Sequence, residues 1–287
     1  MDNAILNFGH ITNGNVMEFS KVFGHSGWKR TKSDKNEEHS WYDKIEIKNN
    51  SSGFRCDDFM SSKSHNGLHI IFAGCSVTWG DALNQEDTWP AMVYSEISKE
   101  QKTSGYFNLG FPGTSIVQQI FWMMKYFNKY GNPDYVFFLM PNLGRFMSVD
   151  PDTLNVGSSI MYSKDQESYP GSLELVKYFE YEIYSMFEQY CKSNSITLIS
   201  SSWSFGEEDN NAIGRTTNLF IKDFDTFFGM LGNGVDPMQW IYEYMQKDKS
   251  ATIKAIDGTH PGKAEQAYYA SRMLDRYREI KNENIRV

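Results

Sequence analysis

Two residues with a catalytic spacing stand out near the end of the chain. His260 is the last histidine, and Asp257 precedes it by three residues, from where a carboxylate can reach the imidazole Nδ1. Ser76 comes shortly after the apolar run 68–73, where its hydroxyl would lie beside a helix N-terminus. A serine hydroxyl needs a base, such as the His260 imidazole, in order to attack an ester carbonyl. Alternatively, Ser76 caps a helix and Asp257 caps another beside a surface histidine.

Two further positions could stabilise the oxyanion of such a reaction. Gly110 follows the apolar run 106–109, and a glycine lets a backbone N–H approach a ligand closely. Asn142 follows the run 135–140 and could point its amide into the same pocket. The structural alternative for both is an ordinary turn. Arg145 would meet an anionic group of the substrate, or lie on the surface as a solvated arginine.

Apolar runs alternate with helical patterns from residue 67 onward, which predicts a parallel sheet covered by helices on both faces. The expected class is therefore a three-layer α/β/α, flavodoxin-like fold with about five parallel strands. The predicted strands are 68–73, 106–109, 135–140, 196–200 and, unless it is a loop, 253–256. The predicted helices are 89–99, 115–130, 172–194 and 261–281, with Pro261 in the first turn of the last one.

The candidate residues all follow predicted strands, at the edge of a parallel sheet where ligands bind. In chain order they lie in GCSVTWG, NLGFPG, MPN and DGTHPG. This series resembles the four blocks of the SGNH (GDSL-type) hydrolases, which carry Ser, Gly, Asn and His. The stretches SSGFRCDDF and QEDTWP look like those of family members with a GFR-containing segment before the nucleophile strand. The resemblance covers roughly residues 51–145 and 255–275.

The resemblance implies a role for each matching residue. Ser76 would be the nucleophile, His260 the general base, and Asp257 the residue that orients the imidazole. The oxyanion hole would combine the N–H groups of Ser76 and Gly110 with the Asn142 side chain. Two positions depart from the family pattern. Cys75 replaces the usual Asp and becomes a rival nucleophile, and the third block reads MPNL instead of Gly-x-Asn-Asp.

Composition excludes several classes of protein. The 287 residues are 40% hydrophobic, which is enough for a sizeable core, and the net charge of −8 argues against nucleic-acid binding. No apolar run reaches membrane-spanning length. Three cysteines do not make a disulfide framework, and without CxxC or HExxH we expect neither a metal nor another cofactor. The N-terminus lacks signal-peptide features, which favours the cytoplasm, with viral or non-classical export as alternatives.

The chain is expected to divide at residue 66. Residues 1–66 would form an extension packing on the main domain, or a partly ordered tail, and 67–287 the catalytic domain. A short strand or hairpin is predicted at 41–47. The aromatic-rich stretches 146–172 and 203–252 would line the substrate side, or bury a lid or a helix.

The predicted function is a serine-dependent ester hydrolase that works through an acyl-serine. Its substrate would be a small-molecule or glycan ester with an acetyl or other short acyl group. Two alternatives stay open at this point. One is acyl transfer to a sugar hydroxyl, and the other is a binding or structural module that keeps the fold without turnover.

Overall fold

The structure is a computed structural model. It describes residues 45, 47–60, 66–141, 143, 145–149, 156–160, 173–203, 224–230 and 236–285. The helices and strands within these residues are β1 (Ile70–Gly74), α1 (Ser76–Trp79), α2 (Trp89–Glu100), β2 (Phe107–Asn108), α3 (Ile116–Tyr130), β3 (Tyr135–Met140), β4 (Arg145–Val149), β5 (Val156–Ile160), α4 (Leu173–Ser193), β6 (Thr197–Ser202), α5 (Pro237–Lys247) and α6 (Lys263–Ile285).

Four strands form a parallel sheet in the order β2-β1-β3-β6. Phe72 of β1 pairs with Asn108 on one side and with Phe137 on the other. The order corresponds to the first four strands of a flavodoxin-like 2-1-3-4-5 sheet, so the predicted α/β class is confirmed. β1 is buried along its whole length, as expected for a strand covered on both faces.

The sheet has four strands in the described residues instead of about five, because the segment 253–256 is not a strand. It folds back on the residues that follow it. Ala255 N–H donates to the His260 carbonyl at 2.9 Å, and Lys254 and Pro261 form an isolated antiparallel bridge. These local bonds occupy backbone groups that a fifth strand would offer to β6. A two-stranded antiparallel sheet, β4 with β5, was not predicted.

The two faces of the sheet carry two hydrophobic clusters, as the alternation of side chains along a strand requires. On one face, Ile71 and Phe138 pack under α3 and α4. On the other face, Phe72 and Phe137 stack at 5.4 Å under α2 and α6. The first three predicted helices agree with α2, α3 and α4 to within one residue at each end.

The last helix begins at Lys263, two residues later than predicted, so Pro261 is not in its first turn. Pro261 is instead in the bridge to Lys254, and Gly262 N–H donates to the Ile253 carbonyl. A Cβ at Gly262 would lie 2.3 Å from the Thr252 carbonyl oxygen, which explains why a glycine is needed between the loop and the helix.

The described part of the N-terminal region packs on the sheet. Phe54 and Arg55 are buried. Beside β2, the Asp57 N–H donates to the Tyr106 carbonyl at 3.0 Å, and the Tyr106 N–H donates to the Asp57 carboxylate at 2.8 Å. The predicted strand at 41–47 lies partly outside the described residues, and Ile45 and Ile47 are not in a strand. That residues 1–66 form one extension stays a prediction, since 1–44 and 61–65 are outside the described ranges.

Several aromatic residues of the stretch 203–252 are part of the core. Phe224 and Phe227 pack against Tyr184, and Trp240 packs on Tyr268 of α6 at 5.4 Å. These rings contribute to the packing of helices, and a role on the substrate side stays a prediction. The residues of this hypothesis that lie outside the described ranges are Tyr162, Tyr169, Pro170, Phe205 and Phe220. None of the helices in the described ranges is long and apolar enough to cross a bilayer.

Candidate active site

Ser76 lies at the carboxyl end of β1, as predicted. Gly74 ends the strand with a φ of 151°, and a Cβ there would lie 2.1 Å from the Thr78 hydroxyl. The chain therefore turns sharply, and Ser76 becomes the first residue of the four-residue helix α1. Ser76 is half-buried, whereas Cys75 is only 1% exposed and packs into the cluster under α2 and α6. The two adjacent side chains thus have different surroundings.

Asp257 and His260 form a close pair in the loop before α6. The Asp257 carboxylate lies 2.5 Å from His260 Nδ1, and its other oxygen accepts the N–H groups of Thr259 and His260, both at 3.0 Å. Burial alone would raise the pKa of Asp257, but the hydrogen bonds from His260 and Thr259 outweigh it and lower that pKa. The carboxylate is therefore ionised at neutral pH and holds the ring with Nε2 pointing away from it.

Asp81 connects this loop to the nucleophile segment. Its backbone N–H donates to the Ser76 carbonyl at 3.0 Å, and its carboxylate lies 4.0 Å from His260 Nε2. Within the described residues, the Ser76 hydroxyl makes no hydrogen bond to the imidazole, whose Nε2 edge faces Asp81. Asp81 thus links Ser76 to the Asp257–His260 pair at one end of the sheet, and the joint catalytic role of these three residues stays a prediction.

The Gly110 N–H is not available as an oxyanion donor in this structure. Gly110 is buried, and its N–H donates to Asn108 Oδ1 at 2.8 Å. A Cβ at this position would lie 2.7 Å from Thr78 Cγ2, so the glycine is required by packing between β2 and α1. The prediction that Gly110 completes the oxyanion hole is corrected on this point, because the N–H already has an acceptor.

Gly113, the second glycine of the same motif, has a backbone N–H that the sequence analysis did not consider. It is exposed at the turn after β2, with a φ of 76°, and its N–H has no acceptor among the residues described. The neighbouring Thr114 hydroxyl bonds to the Gly74 carbonyl at 3.4 Å and to the Phe111 carbonyl at 2.8 Å. This turn is therefore fixed against the end of β1, next to Ser76.

Asn142 lies outside the described residues, so its predicted place in the oxyanion hole stays a prediction. Arg145 begins β4 and is half-buried. Its Nη1 donates to the Thr114 carbonyl at 3.3 Å, which places the guanidinium beside the turn that carries Gly113. Arg145 is therefore tied to the rim of the candidate site and is not a freely solvated surface residue.

Arg55 supports the loop that follows Ser76, and the GFR stretch was the only signal of it in the sequence. Its side chain is buried, with Nη1 2.8 Å from the Gly80 carbonyl and Nη2 2.7 Å from the Leu83 carbonyl. The guanidinium also lies over the Trp79 ring, 5.2 Å from its centroid. Desolvation on burial is the main reason why the pKa of Arg55 is lowered.

Lys263 anchors the loop that carries the histidine. As the first residue of α6, it contacts Asp248 at 2.9 Å and Asp87 at 3.1 Å. The hydrogen bond to Asp248 is the main reason why the pKa of Lys263 is raised. Bonds from Ser250 and Lys263 lower the pKa of Asp248 to about 2. This network joins α5, α6 and the segment before α2 around the candidate site.

A cavity of about 860 Å³ lies apart from this site, between α2, α5 and α6. Trp240, Tyr244 and Arg278 are among its lining residues, while Ser76 and His260 are not. In the described ranges, no group of three or more His, Cys, Asp or Glu side chains is arranged to hold a metal ion. The candidate residues Ser76 and His260 therefore lie outside this cavity.

No family model matches the sequence, and a search of curated proteins gives no significant match. Solved structures of esterases do resemble it. Esterase EstA from Pseudoalteromonas sp. is 10% identical, over 74% of this chain and 98% of that one, with a TM-score of 0.45. A G-D-S-L family lipolytic protein from Veillonella parvula is 12% identical, over 72% and 97%, with a TM-score of 0.43.

An acetylxylan esterase from Geobacillus stearothermophilus, solved as a catalytic mutant, is also similar. It is 15% identical, over 72% of this chain and 92% of that one, with a TM-score of 0.41. At such identities and TM-scores, the likeness assigns neither residue roles nor a substrate to this chain. The solved structures that it resembles are GDSL-type and acetylxylan esterases.

Proposed function

We propose that this protein is a serine ester hydrolase that works through an acyl-serine intermediate on Ser76. The observation that carries the proposal is the Asp257–His260 pair, 2.5 Å apart, held against the segment that begins with Ser76. An ionised carboxylate on Nδ1 leaves Nε2 as the basic nitrogen of the ring. This is the arrangement that a serine hydroxyl needs in order to attack an ester.

In the first step, His260 Nε2 takes the proton of the Ser76 hydroxyl as Oγ bonds to the ester carbonyl carbon. The carbonyl π electrons move to oxygen, and the tetrahedral intermediate forms. The C–O bond to the alcohol then breaks, and the proton on Nε2 passes to the departing alkoxide. Water, deprotonated by the same nitrogen, then attacks the acyl carbon. The bond from that carbon to Ser76 Oγ breaks, Nε2 returns its proton to Oγ, and the acid is released. Asp257 stays a carboxylate throughout.

The oxyanion would be stabilised by two backbone donors. Ser76 N–H lies at the N-terminus of α1, and Gly113 N–H lies in the turn fixed against β1 by Thr114. One such donor typically contributes about 3 kcal/mol of transition-state stabilisation. The Asn142 side chain is proposed as a third donor, on the strength of the motif order alone.

The proposed substrates are acetyl or other short acyl esters, including O-acetyl groups of glycans. The support for this substrate class is the family resemblance of the motifs. Arg145 is proposed to contact an anionic or polar group of the substrate, because it lies at the rim beside Thr114.

Hydrolysis of p-nitrophenyl esters tests this proposal. Purified protein is assayed against acetate, butyrate and octanoate esters, with Ser76→Ala as the inactive reference. Ser104→Ala, at a half-buried serine before β2, is the matched control. We expect turnover to be fastest with the acetate or butyrate ester and to disappear only in Ser76→Ala. Equal rates for wild type and Ser76→Ala would contradict the proposal.

A further inference from the structure

The nucleophile segment carries a second carboxylate to the catalytic histidine. The backbone N–H of Asp81 donates to the Ser76 carbonyl, one helical turn after the nucleophile. Its carboxylate lies 4.0 Å from His260 Nε2, and the side chain is only 16% exposed. Asp257 occupies the opposite edge of the ring at Nδ1. The imidazole is therefore bracketed by two carboxylates, one from each segment of the site.

The backbone around Asp81 is built to hold this position. Gly80 and Ala82 on either side have positive φ values of 80° and 62°, and the second is unusual for a residue with a side chain. The carbonyls of Gly80 and Leu83 converge on the buried guanidinium of Arg55. A strained backbone persists only where its surroundings over-determine it, and here the buried arginine does so.

Other charged groups lie on the elements that pack against the His260 loop. Arg55 lies behind Asp81 and interacts electrostatically with it and with Glu86. The remaining charged groups on elements that pack against the His260 loop are in ion pairs: Lys263 with Asp87 and Asp248, and Lys254 with Glu265 at 3.6 Å. The imidazole edge that receives the proton of Ser76 thus faces a carboxylate, while the nearby lysines have carboxylates of their own.

We propose that Asp81 is a positioning residue for the reaction. It acts through His260, by stabilising the imidazolium that exists while the tetrahedral intermediate is present. The proton moves from Ser76 Oγ to Nε2 and from there to the leaving alkoxide, and Asp81 does not take it. This inference rests on the proposed function, since it assumes that His260 is the base. Its physical content, the pairing of Asp81 with the ring, is measurable without turnover.

The kinetic test compares Asp81→Asn and Asp81→Glu with Glu96→Gln, an exposed control that pairs only with Lys99 in the structure described. Loss of the anion near Nε2 should lower kcat about tenfold with little change in KM. It should also move the acid limb of kcat/KM to lower pH, because the protonated ring is less stabilised. Asp81→Glu should restore part of both effects. An Asp81→Asn enzyme with the wild-type rate and pH profile would overturn the proposal.

A second readout does not depend on activity. In the Ser76→Ala background, the pH midpoint of the His260 imidazole NMR signals is followed with and without Asp81→Asn, or Asp81→Ser if Asn does not fold. We expect a lower midpoint without the carboxylate, and an unchanged midpoint overturns the inference. If the midpoint shifts but wild type hydrolyses no ester, the Asp81–His260 pairing stands and the proposed function fails.

Discussion

Asp257 Oδ2 lies 2.5 Å from His260 Nδ1, and both residues belong to one turn before α6. The same carboxylate accepts the backbone N–H groups of Thr259 and His260, so it shapes the turn and orients the ring together. Lys263 then ties the first turn of α6 to Asp87 and Asp248. The base of the candidate site is therefore positioned by a local unit, which Asp81 joins to the nucleophile segment.

Substitution of Cys75 and of Ser76, one at a time, tests whether the nucleophile is the serine oxygen or the cysteine sulfur. Cys75 is 1% exposed, so Cys75→Ala should keep most activity and cost about 1 kcal/mol of unfolding free energy. Ser76→Ala should lower kcat by about 10⁶-fold, since it removes the attacking atom. The rates of both variants are measured with p-nitrophenyl acetate. The reverse order, with Cys75→Ala inactive, would make the protein a thiol enzyme.

Substitutions of the base pair should differ in severity. His260→Ala should lose as much activity as Ser76→Ala, because the two act as one unit. Asp257→Asn should cost less, since the ring can still act when poorly oriented, and we expect a loss of about 10²- to 10⁴-fold. Steady-state kinetics with matched circular dichroism measure both. An Asp257→Asn enzyme less active than His260→Ala would show that the carboxylate has another role.

Removal of the Asn108 side chain tests whether the Gly110 N–H is structural. Asn108 accepts from Gly110 N–H and donates to the Thr78 carbonyl at 2.9 Å, and it is buried. Asn108→Ala should therefore lower the unfolding free energy by about 2 kcal/mol, since buried partners are left unpaired. The kcat of the folded fraction should change less than tenfold. A rise in kcat would return Gly110 to the oxyanion hole, because the substitution frees its N–H.

The Asp248–Lys263 pair predicts a pH-dependent loss of stability. The folded-state pKa of Asp248 is about 2, below its unfolded value of about 3.9. Its contribution is thus present above pH 4 and is lost as the pH falls toward 2. Asp248→Asn should be less stable than wild type at pH 7, and the difference should shrink between pH 4 and pH 2. Denaturant unfolding measures this, with exposed Glu243→Gln as the control. A constant difference would contradict the assignment.

Much of the fold follows from the alternation of apolar runs with helical patterns. The runs at 68–73 and 135–140 are buried strands, and α3 begins where Ser115 caps it. Periodicity could not show that 253–256 bonds to the chain that follows it, because that depends on the turn at Gly258, whose φ is 72°. The turn at Gly258 therefore determines that the backbone groups of this segment bond locally and not to a neighbouring strand.

The residue types of the candidate site carry a signal in the sequence, whereas two details of their surroundings do not. NLGFPG contains two glycines, and only the structure shows that Asn108 occupies the N–H of the first, Gly110. Asp81 carries no motif signal. Its place beside His260 results from the positive φ values of Gly80 and Ala82 and from a buried arginine far earlier in the chain. Such positions depend on tertiary contacts that spacing does not encode.

The most direct measurement of the central claim is covalent labelling with a fluorophosphonate, followed by peptide mapping. The probe reacts with a serine activated by an adjacent base, and it would form a phosphonyl ester on that hydroxyl. We expect one modified residue, Ser76, with labelling lost in Ser76→Ala and His260→Ala and retained in Cys75→Ala. Absence of labelling in the folded wild-type protein, or labelling that survives in Ser76→Ala, would contradict the assignment of Ser76 as an activated nucleophile.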